Sequence, residues 1–310
     1  MIVNAQNLVK RYGELVALDH FSLQVEEGEI LGLLGPNGSG KTTAINCILS
    51  LLDYDRGTIE LFGQPMRPDA YGLKQQIGIV MQDVAVFDEL TVQENIDYFC
   101  GLYVPDKKRR RALVEEAIAF TGLESHRKFR PKKLSGGLLR RLNIACGIAH
   151  KPRLVFFDEP TVAVDPQSRN SILEGIKKLN REGATVVYTS HYMEEVEQLC
   201  SRIVIMDQGR TIASGTKEEL KAMIGANEKI RVELLNPDPQ LAASLSRQPF
   251  AQNATLDENI LTIYCRNGSH NLLAVMDYFQ AHAIAFGKVY SEPPTLNDVF
   301  LEITGKQLRD

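Results

Sequence analysis

The chain has 310 residues, of which 44% are hydrophobic and 24% charged, with a formal net charge of -4. This length supports one large domain and a smaller one, and the mild acidity argues against nucleic acid as the main partner. No stretch approaches the roughly 18–20 consecutive apolar residues needed to cross a bilayer. The first residues also lack the apolar core of a signal peptide, so we expect a cytosolic protein.

The first sixty residues contain two kinds of predicted strand. FSLQV (21–25) and GTIELFG (57–63) alternate apolar and polar residues, which predicts antiparallel strands with one solvent-exposed face. Between them, ILGLLG (30–35) is apolar throughout and leads into a glycine-rich loop. That pattern predicts a strand buried on both faces of a parallel sheet.

Three more apolar runs follow the same pattern, at IGIVM (77–81), RLVFFD (153–158) and ATVVYTS (184–190). Helix-like segments lie after or between these runs, at TTAINCILSLL (42–52), RRALVEEAIAFTG (110–122) and MEEVEQLC (193–200). This alternation predicts an α/β domain with a parallel sheet and helices on its faces.

A polar or glycine residue stands at the end of each of the four buried runs: Gly35, Gln82, Asp158 with Glu159, and His191. In open α/β sheets, ligands bind outside the carboxyl ends of the strands. Packing does not explain four such groups arriving at one edge of a sheet. The sequence therefore predicts a binding site there.

The loop after the first buried run, GPNGSGKT (35–42), matches the P-loop pattern G-x-x-x-x-G-K-[ST]. Its glycines let backbone N–H groups converge on phosphate oxygens at a helix N-terminus. Lys41 supplies a positive charge for the outer phosphates, and the Thr42 hydroxyl is a ligand for Mg²⁺. We expect ATP and Mg²⁺ to bind here, and the predicted nucleotide contacts are Gly35, Pro36, Asn37, Gly38, Ser39, Gly40, Lys41, Thr42 and Thr43.

Asp158 and Glu159 follow four apolar residues, which places both carboxylates at the end of a strand. Asp158 is predicted to hold the Mg²⁺ through water, because magnesium dehydrates reluctantly. Glu159 is placed to orient an attacking water or to accept its proton. The alternative is that the two residues only begin a turn before Pro160.

Gln82 and His191 each allow two interpretations. Gln82 either contributes to the Mg²⁺ or water site and senses the third phosphate, or it caps a loop. His191 either donates a hydrogen bond to the γ-phosphate or forms a structural hydrogen bond. Its position at the end of a buried run favours the functional role.

The segment LSGGLLRRL (134–142) begins another helix. One apolar face of this helix is formed by Leu138, Leu142, Ala145 and Ala149. Ser135, Gly136 and Gly137 therefore lie at a helix N-terminus, which favours an anion. Since the chain already has one complete P-loop and no second lysine-bearing loop, that anion is expected to come from another subunit.

After residue 220 the composition changes. The segment RIVIMDQGRTIASG (202–215) predicts a hairpin that closes the first domain. The following segments predict three strands and two helices: KIRVELLN (229–236), NILTIYC (259–265), NLLAVMDYFQ (271–280), AIAFGKVY (283–290) and PTLNDVFLEITG (294–305). We expect a small α+β domain over residues 221–310.

In its motifs the chain resembles the ATP-binding subunits of ABC transporters, across residues 1–220. The match comprises, in family order, GPNGSGKT, Gln82, LSGG, LVFFDEP (154–160), Asp165 and His191. The resemblance implies an α/β P-loop ATPase domain with a parallel sheet core, an antiparallel β subdomain and an α-helical subdomain at about 85–150. It also implies a head-to-tail dimer with a second copy or a homologous ATPase subunit. Each ATP then lies between one P-loop and the other subunit's Ser135, Gly136 and Gly137.

Further roles follow from the same resemblance. Tyr12 is similar to the aromatic residue that stacks on adenine, and Val16 to a neighbouring contact, although a surface or core role fits both. Asp165 resembles the loop residue that couples the two nucleotide sites. Two positions depart from the family pattern: Leu138 replaces the usual glutamine, and Ala163 stands where glycine is common.

Leu138 and the tail segment PPTLNDVFLEITG (293–305) resemble the branch that powers drug, antibiotic or polysaccharide export. We therefore expect an ATP-hydrolysing subunit on the cytoplasmic face of the membrane, bound to a separate permease. Three alternatives remain open from the sequence: an importer subunit, a soluble ABC ATPase that acts on ribosomes or DNA, and a catalytically weak partner in a heterodimer.

Overall fold

The computed structural model describes residues 1–223, 226–266 and 270–304. The chain divides into two compact units, with the boundary between Ser214 and Gly215. The elements that begin in the first unit are β1 (Val3–Tyr12), β2 (Leu15–Val25), β3 (Ile30–Leu34), α1 (Lys41–Ile48), β4 (Arg56–Leu61), β5 (Gln64–Pro65), α2 (Tyr71–Lys74), β6 (Ile77–Val80), α3 (Val92–Gly101), α4 (Lys107–Thr121), α5 (Gly136–Ile148), β7 (Leu154–Asp158), α6 (Pro166–Arg181), β8 (Thr185–Ser190), α7 (Met193–Leu199), β9 (Arg202–Asp207) and β10 (Arg210–Gly215). Those of the second unit are α8 (Lys217–Ala222), β11 (Ala226–Leu234), α9 (Pro239–Leu245), β12 (Ala251–Asp257), β13 (Ile260–Arg266), α10 (Asn271–Ala281), β14 (Phe286–Glu292) and α11 (Leu296–Thr304).

The central sheet of the first unit has six strands in the order β10-β9-β3-β8-β7-β6. The four strands predicted as buried runs, β3, β8, β7 and β6, are neighbours and run parallel. Every residue of β3, β7 and β8 is buried, which confirms the prediction from their apolar sequences. Because these strands are parallel, the groups that follow them reach the same edge of the sheet.

A second sheet, with the order β2-β1-β4-β5, forms the predicted antiparallel part. β1 pairs antiparallel with β2 on one side and with β4 on the other. Leu8 and Phe21 from this sheet, Ile45 of α1 and Phe156 of β7 belong to one buried hydrophobic cluster. This shared core fixes α1 against both sheets, and with it the position of the loop before α1.

Three helices, α3, α4 and α5, form a separate helical subdomain with its own core. Ile96, Ile118 and Leu142, one from each helix, are fully buried in this core. The apolar face predicted for α5 is present, because Ala145 and Ala149 belong to the same cluster and Leu138 packs against it. Because α5 is packed in this core, the helical subdomain also fixes the position of Ser135 and Gly136 at the N-terminus of α5.

The structure differs from the sequence-based helix prediction at α1, which is shorter than predicted, and at α6, which was missed. The helix predicted over 42–52 ends at Ile48, because Ser50 adopts a left-handed φ of 49° that a helix cannot continue through. α6 was not recognised in the sequence, although Asp165 followed by Pro166 is a typical helix start. Its apolar residues Ile172, Leu173, Ile176 and Leu179 also recur at helical spacing and form one buried face, so this signal was available in the sequence as well.

The second unit has a four-stranded antiparallel sheet in the order β12-β13-β11-β14. The element order from β11 to β14 is β-α-β-β-α-β, which is the ferredoxin-like arrangement. Ile230, Ile263 and Phe279 are fully buried in its core. The sequence predicted β11, β13, β14, α10 and α11, and missed α8, α9 and β12.

The missed strand β12 reads AQNATLD, a composition with little β-propensity. The missed helix α9 begins at Pro239 after the capping residue Asp238, and this start signal was available in the sequence. The last residue of the predicted segment 294–305 lies outside the described residues. Within the described ranges, no helix has the length and hydropathy needed to span a membrane.

Candidate active site

The glycine-rich loop lies between the end of β3 and the start of α1. Gly38 and Gly40 have φ values of 80° and 106°, a region that favours glycine. A Cβ atom on Gly40 would lie 2.6 Å from the backbone oxygen of Ala17, so only glycine fits there. Gly35 and Ser39 are buried beneath the loop, whereas Asn37 and Gly38 are exposed.

Lys41, the first residue of α1, is only 5% exposed. Its Nζ donates hydrogen bonds to the backbone oxygens of Gly35 and Pro36, at 2.8 and 3.2 Å. It also lies 3.2 Å from Oε1 of Glu159, which has a similarly buried side chain. The loop therefore holds a buried ammonium group whose charge is balanced by one carboxylate from the end of β7.

Asp158 is the last residue of β7 and is 1% exposed. Its Oδ2 accepts a hydrogen bond from Oγ1 of Thr42 at 2.8 Å, and its Oδ1 accepts one from Oγ1 of Thr189 at 2.6 Å. Thr189 also accepts a hydrogen bond from the backbone N–H of Glu159 at 3.0 Å. Sequence analysis missed Thr189, although its place near the end of β8 was a usable signal.

The oxygens of Thr42 and Asp158 suit a hard cation such as Mg²⁺. In nucleotide sites, Mg²⁺ takes one or two protein oxygens and completes its shell with phosphate and water. No group of three or more His, Cys, Asp or Glu side chains in the described ranges could hold a metal ion.

Glu159 adopts a left-handed φ of 46°. Such a conformation costs a non-glycine residue about 1–3 kcal/mol and concentrates at functional sites. Its Oε2 lies 3.2 Å from Nδ1 of His191, whose ring lies against Tyr192 with centroids 4.2 Å apart. Glu159 thus lies between Lys41 and His191, and its carboxylate contacts both of these predicted residues.

These residues face a groove with a volume of about 1260 Å³. The predicted residues that line it are Tyr12, Val16, Asn37, Gly38, Gly40, Lys41, Thr42, Thr43, Gln82, Glu159 and His191. Tyr12 is 49% exposed and Val16 is 39% exposed, so neither belongs to the core. Sequence analysis missed Arg210 and its ion-pair partner Asp19, which also line the groove.

Gln82 lines the groove with an exposed side chain, and its backbone is held from α5. Nη1 of Arg140 donates hydrogen bonds to the backbone oxygens of Met81 and Gln82, at 3.1 and 2.7 Å. Arg140 is only 7% exposed, and burial lowers the pKa of its guanidinium. This contact could not be predicted from the sequence, because 58 residues separate Arg140 from Gln82.

The LSGG segment (134–137) lies at the start of α5 and does not line the groove of its own chain. Ser135 caps α5, since its Oγ accepts a hydrogen bond from the backbone N–H of Leu138 at 3.4 Å. A Cβ atom on Gly137 would lie 2.3 Å from Oγ of Ser168, whereas one on Gly136 would meet open space. Gly137 is thus required for packing against α6, and Gly136 is open to solvent.

Asp165 caps α6, because its Oδ1 accepts a hydrogen bond from the backbone N–H of Ser168 at 2.9 Å. Hydrogen bonds from Ser168 lower the pKa of the Asp165 carboxyl. The nearby Ala163, which replaces a common family glycine, has a φ of 58°. Glycine adopts this left-handed conformation without steric cost, which explains why glycine is common at this position.

A glycine loop that opens a helix, with a lysine, a hydroxyl and two strand-end carboxylates beside it, defines a P-loop nucleoside triphosphatase. Comparison with protein families identifies which kind of P-loop nucleoside triphosphatase this is. The ABC transporter family matches residues 18–162, and the family described as "ATP-binding protein DrrA1-3-like, C-terminal domain" matches residues 215–304. The chain belongs to the ATP-binding proteins of the ABC transporter family.

Three relatives match nearly the whole chain. The linearmycin resistance ATP-binding protein LnrL of Bacillus subtilis is 37% identical and covers 100% of both chains. The Nod factor export ATP-binding protein I of Burkholderia pseudomallei is 35% identical over 99% of this chain and 98% of its own length. The daunorubicin resistance ATP-binding protein DrrA3 of Streptomyces coeruleorubidus is 35% identical over 97% of this chain and 95% of its own.

Solved structures of ABC cassettes share the fold. A dimeric bacterial ABC transporter cassette is 29% identical, with a TM-score of 0.64, over 69% of this chain and 98% of its own. A dimeric cassette in a post-hydrolysis state bound to ADP and Pi is 28% identical, with a TM-score of 0.64 and the same coverage. The protein is an ATP-binding ABC ATPase with an α/β P-loop fold.

Proposed function

We propose that this chain is the ATP-hydrolysing subunit of an exporter and drives a substrate through a separate membrane permease. The observation that carries the proposal is the contact of Glu159 with both Lys41 and His191, each at 3.2 Å, inside the groove beside the P-loop. The arrangement supports the proposal because phosphoryl transfer calls for a phosphate-binding cation, a base and a hydrogen-bond donor around one phosphoryl group, and Lys41, Glu159 and His191 offer these groups.

The P-loop residues from Gly35 to Thr43 bind the phosphates in this proposal. Backbone N–H groups at the start of α1 and the ammonium of Lys41 attract the phosphate charge. Thr42, Asp158 and Gln82 would hold Mg²⁺ with the nucleotide, and the ion would neutralise charge that develops on the phosphates. Tyr12 and Val16, exposed at the groove, would receive the adenine ring.

Glu159 orients the attacking water and accepts its proton. His191 donates a hydrogen bond to the γ-phosphate, and its contact with Glu159 keeps the two groups on the same reacting centre. A γ-phosphate competes with Glu159 for Lys41, because both present negative oxygens to the same ammonium group. Binding of ATP thus releases the carboxylate to act on water.

Two subunits are needed for a complete site in this proposal. The exposed Gly136 at the start of α5, capped by Ser135, leaves space for a phosphate from a partner subunit. Gly137 keeps α5 packed against α6 and adds a backbone N–H at the same terminus. The dimeric cassettes to which the chain is similar support a head-to-tail pair, with a second copy or a homologous ATPase subunit.

Export, rather than import, is supported by the relatives, which are named for Nod factor export and for drug resistance. The match of residues 215–304 to a DrrA-like C-terminal domain supports the same branch. The permease would be a separate chain, and the ATPase would sit peripherally on the cytoplasmic face of the membrane through it. Pull-down of the tagged chain from detergent-solubilised membranes, followed by mass spectrometry, tests this partner, and recovery of ribosomes without any membrane protein would contradict it.

The central test is Glu159→Gln. Without a base, hydrolysis should fall by about 10²–10⁴-fold, while MgATP still binds and a stable dimer accumulates. Phosphate release and size-exclusion chromatography with light scattering measure both effects, with Glu182→Gln as a control on an exposed helix end. Unchanged turnover in Glu159→Gln would remove this residue from the mechanism.

Gly136→Asp tests the shared site. Open space surrounds Gly136, so its own subunit accommodates the side chain, but the new carboxylate would repel a partner's phosphate. We expect unchanged MgATP binding to the monomer, no MgATP-dependent dimer and no hydrolysis. Full activity of a strictly monomeric Gly136→Asp protein would contradict the two-subunit site.

A further inference from the structure

Behind the groove, a second carboxylate is buried. Glu195 of α7 is 3% exposed, and its Oε2 accepts hydrogen bonds from the hydroxyls of Thr161, Tyr188 and Ser190, at 2.8, 2.6 and 3.2 Å. All three hydroxyl residues are themselves buried. Several charge-assisted hydrogen bonds offset the cost of removing a carboxylate from water. Through its two carboxylate oxygens, Glu195 therefore contacts three chain segments: the turn of Thr161 and the end of β8 at Oε2, and α6 at Oε1.

The first of these segments carries Glu159. Thr161 follows Glu159 by two residues, in the turn where Glu159 has its left-handed φ of 46°. A strained conformation persists only where surrounding contacts over-determine it. The bond from Thr161 to Glu195 is one of those contacts, and the bond from the Glu159 N–H to Thr189 is another.

The second segment carries His191. Ser190 donates its hydroxyl to Glu195 and accepts a hydrogen bond from the backbone N–H of Tyr192 at 2.9 Å. His191 lies between these two residues in the chain. The turn that directs the His191 ring into the groove is therefore closed by the Ser190 hydroxyl, and this hydroxyl is itself held by the hydrogen bond that it donates to Glu195.

The third segment is α6, which contributes Arg169. Nε of Arg169 lies 3.2 Å from Oε1 of Glu195, although the alignment is not that of a hydrogen bond, so the attraction is ionic. The guanidinium also lies over the Tyr192 ring at 4.7 Å, and that ring lies against His191. Arg169 thus gives Glu195 a second connection to His191, by way of Tyr192.

The phenol of Tyr188 remains a hydrogen-bond donor throughout the working pH range. Burial, together with the nearby charge of Glu195, raises the pKa of Tyr188 well above its usual value of 10. The donor set around Oε2 is therefore stable, and it consists of groups that favour a charged acceptor.

From these contacts we propose that Glu195 is a positioning residue for ATP hydrolysis, which holds the turn of Glu159 and the turn of His191 in register. Glu195 does not line the groove and is not part of the P-loop, so it acts through Glu159 and His191, which both line the groove. The inference rests on the proposed function, because it assumes that Glu159 and His191 carry the reaction. A displacement of about 1 Å at such groups can cost about 10²-fold in rate.

Glu195→Gln tests the proposal, since it keeps the shape of the side chain and removes the charge. We expect kcat to fall by about 10- to 100-fold, with KM for MgATP and the affinity for a fluorescent ATP analogue unchanged. Each rate is divided by the number of nucleotide sites titrated, so that unfolded protein does not count. Glu194→Gln, at the exposed neighbouring position, is the matched control and should behave as wild type.

A double-mutant cycle with His191→Ala separates positioning from general stability. If Glu195 acts partly through His191, Glu195→Gln should reduce kcat by a smaller factor in the His191→Ala background than in wild type. An equal factor in both backgrounds, or an unchanged site-normalised kcat in Glu195→Gln, overturns the proposal. If wild type and Glu194→Gln also fail to hydrolyse ATP, the proposed function itself is wrong.

If Glu195→Gln does not fold, Arg169→Gln is the alternative test variant. The Arg169 side chain is 32% exposed, so its replacement leaves no cavity in the hydrophobic core. It removes the ion pair and the contact with Tyr192. We expect a lower site-normalised kcat with unchanged KM, and partial recovery in Arg169→Lys, which keeps the charge. A wild-type kcat in folded Arg169→Gln would overturn the proposal.

Discussion

Among the described residues, a lysine–carboxylate pair is buried in each of the two units, and the two pairs are built differently. In the first unit, Lys41 faces Glu159, whose carboxylate has Lys41 and His191 as its partners. In the second unit, Lys229 lies 2.9 Å from Asp298. The Asp298 carboxylate accepts further hydrogen bonds from the N–H and Oγ1 of Thr295, both at 2.7 Å, and from the Tyr264 hydroxyl at 2.8 Å.

The difference shows how a buried ion pair can serve either stability or chemistry. The Asp298 carboxylate is saturated with donors and lies on relaxed backbone inside a small domain. Glu159 sits on strained backbone beside an open groove and keeps acceptor capacity for water. Burial alone does not distinguish the two roles. The number of donors around each carboxylate does.

Lys229→Met should give the largest effect. It leaves the buried Asp298 without its cation, and breaking a buried pair in this way costs about 3–5 kcal/mol. Urea unfolding of the full chain measures the loss, with Lys288→Met on the exposed side of β14 as the control. ATP hydrolysis per titrated site should not change. Wild-type stability in Lys229→Met would mean that the second pair is not structural.

Lys41→Met is the matching change in the first unit. Loss of this charge should reduce hydrolysis by about 10²–10³-fold, the usual cost of removing one preorganised donor. The stability loss should be smaller than for Lys229→Met, because Glu159 keeps His191 and can be reached by water from the groove. Lys108→Met, at the exposed start of α4, is the control. A stability loss as large as that of Lys229→Met would erase the contrast between the pairs.

The second pair should also respond to acid. Burial would raise the pKa of Asp298, but hydrogen bonds from Thr295, Lys229 and Tyr264 outweigh it and lower the pKa below its usual 3.8. Since the folded pKa is lowered, the stabilisation is complete above pH 3.8 and is lost as the pH falls through the folded pKa. The stability gap between wild type and Asp298→Asn should therefore narrow below pH 3.8. A gap that stays constant on acidification would contradict this origin.

Ala163→Gly should have the smallest effect. Glycine removes the left-handed strain at Ala163, worth about 1–2 kcal/mol, but loses about 0.4–1 kcal/mol through a more flexible unfolded chain. The expected result is a gain of between about 0 and about 1.6 kcal/mol in the free energy of unfolding, measured by thermal unfolding, with hydrolysis unchanged. A loss of stability would show that the loop tolerates alanine without strain.

Local patterns in the sequence were sufficient for much of this protein. The apolar runs identified four neighbouring parallel strands, and the motif GPNGSGKT identified the P-loop. Asp158, Glu159 and His191 were predicted from their places at strand ends, because parallel strands deliver their carboxyl ends to one edge. β12 was missed because its sequence AQNATLD has little β-propensity, whereas α6 was missed although its start signal and its apolar face were both present in the sequence.

Only the tertiary structure showed which distant residues support the site. Three contacts join segments far apart in the chain: the hydroxyl of Thr189 on Asp158, the guanidinium of Arg140 on the Gln82 backbone and the hydroxyl of Thr161 on Glu195. The sequence shows a polar residue at each place but not the partner, because the partner is set by how helices and strands pack. Periodicity determines which face of an element is buried, and packing determines what that face touches.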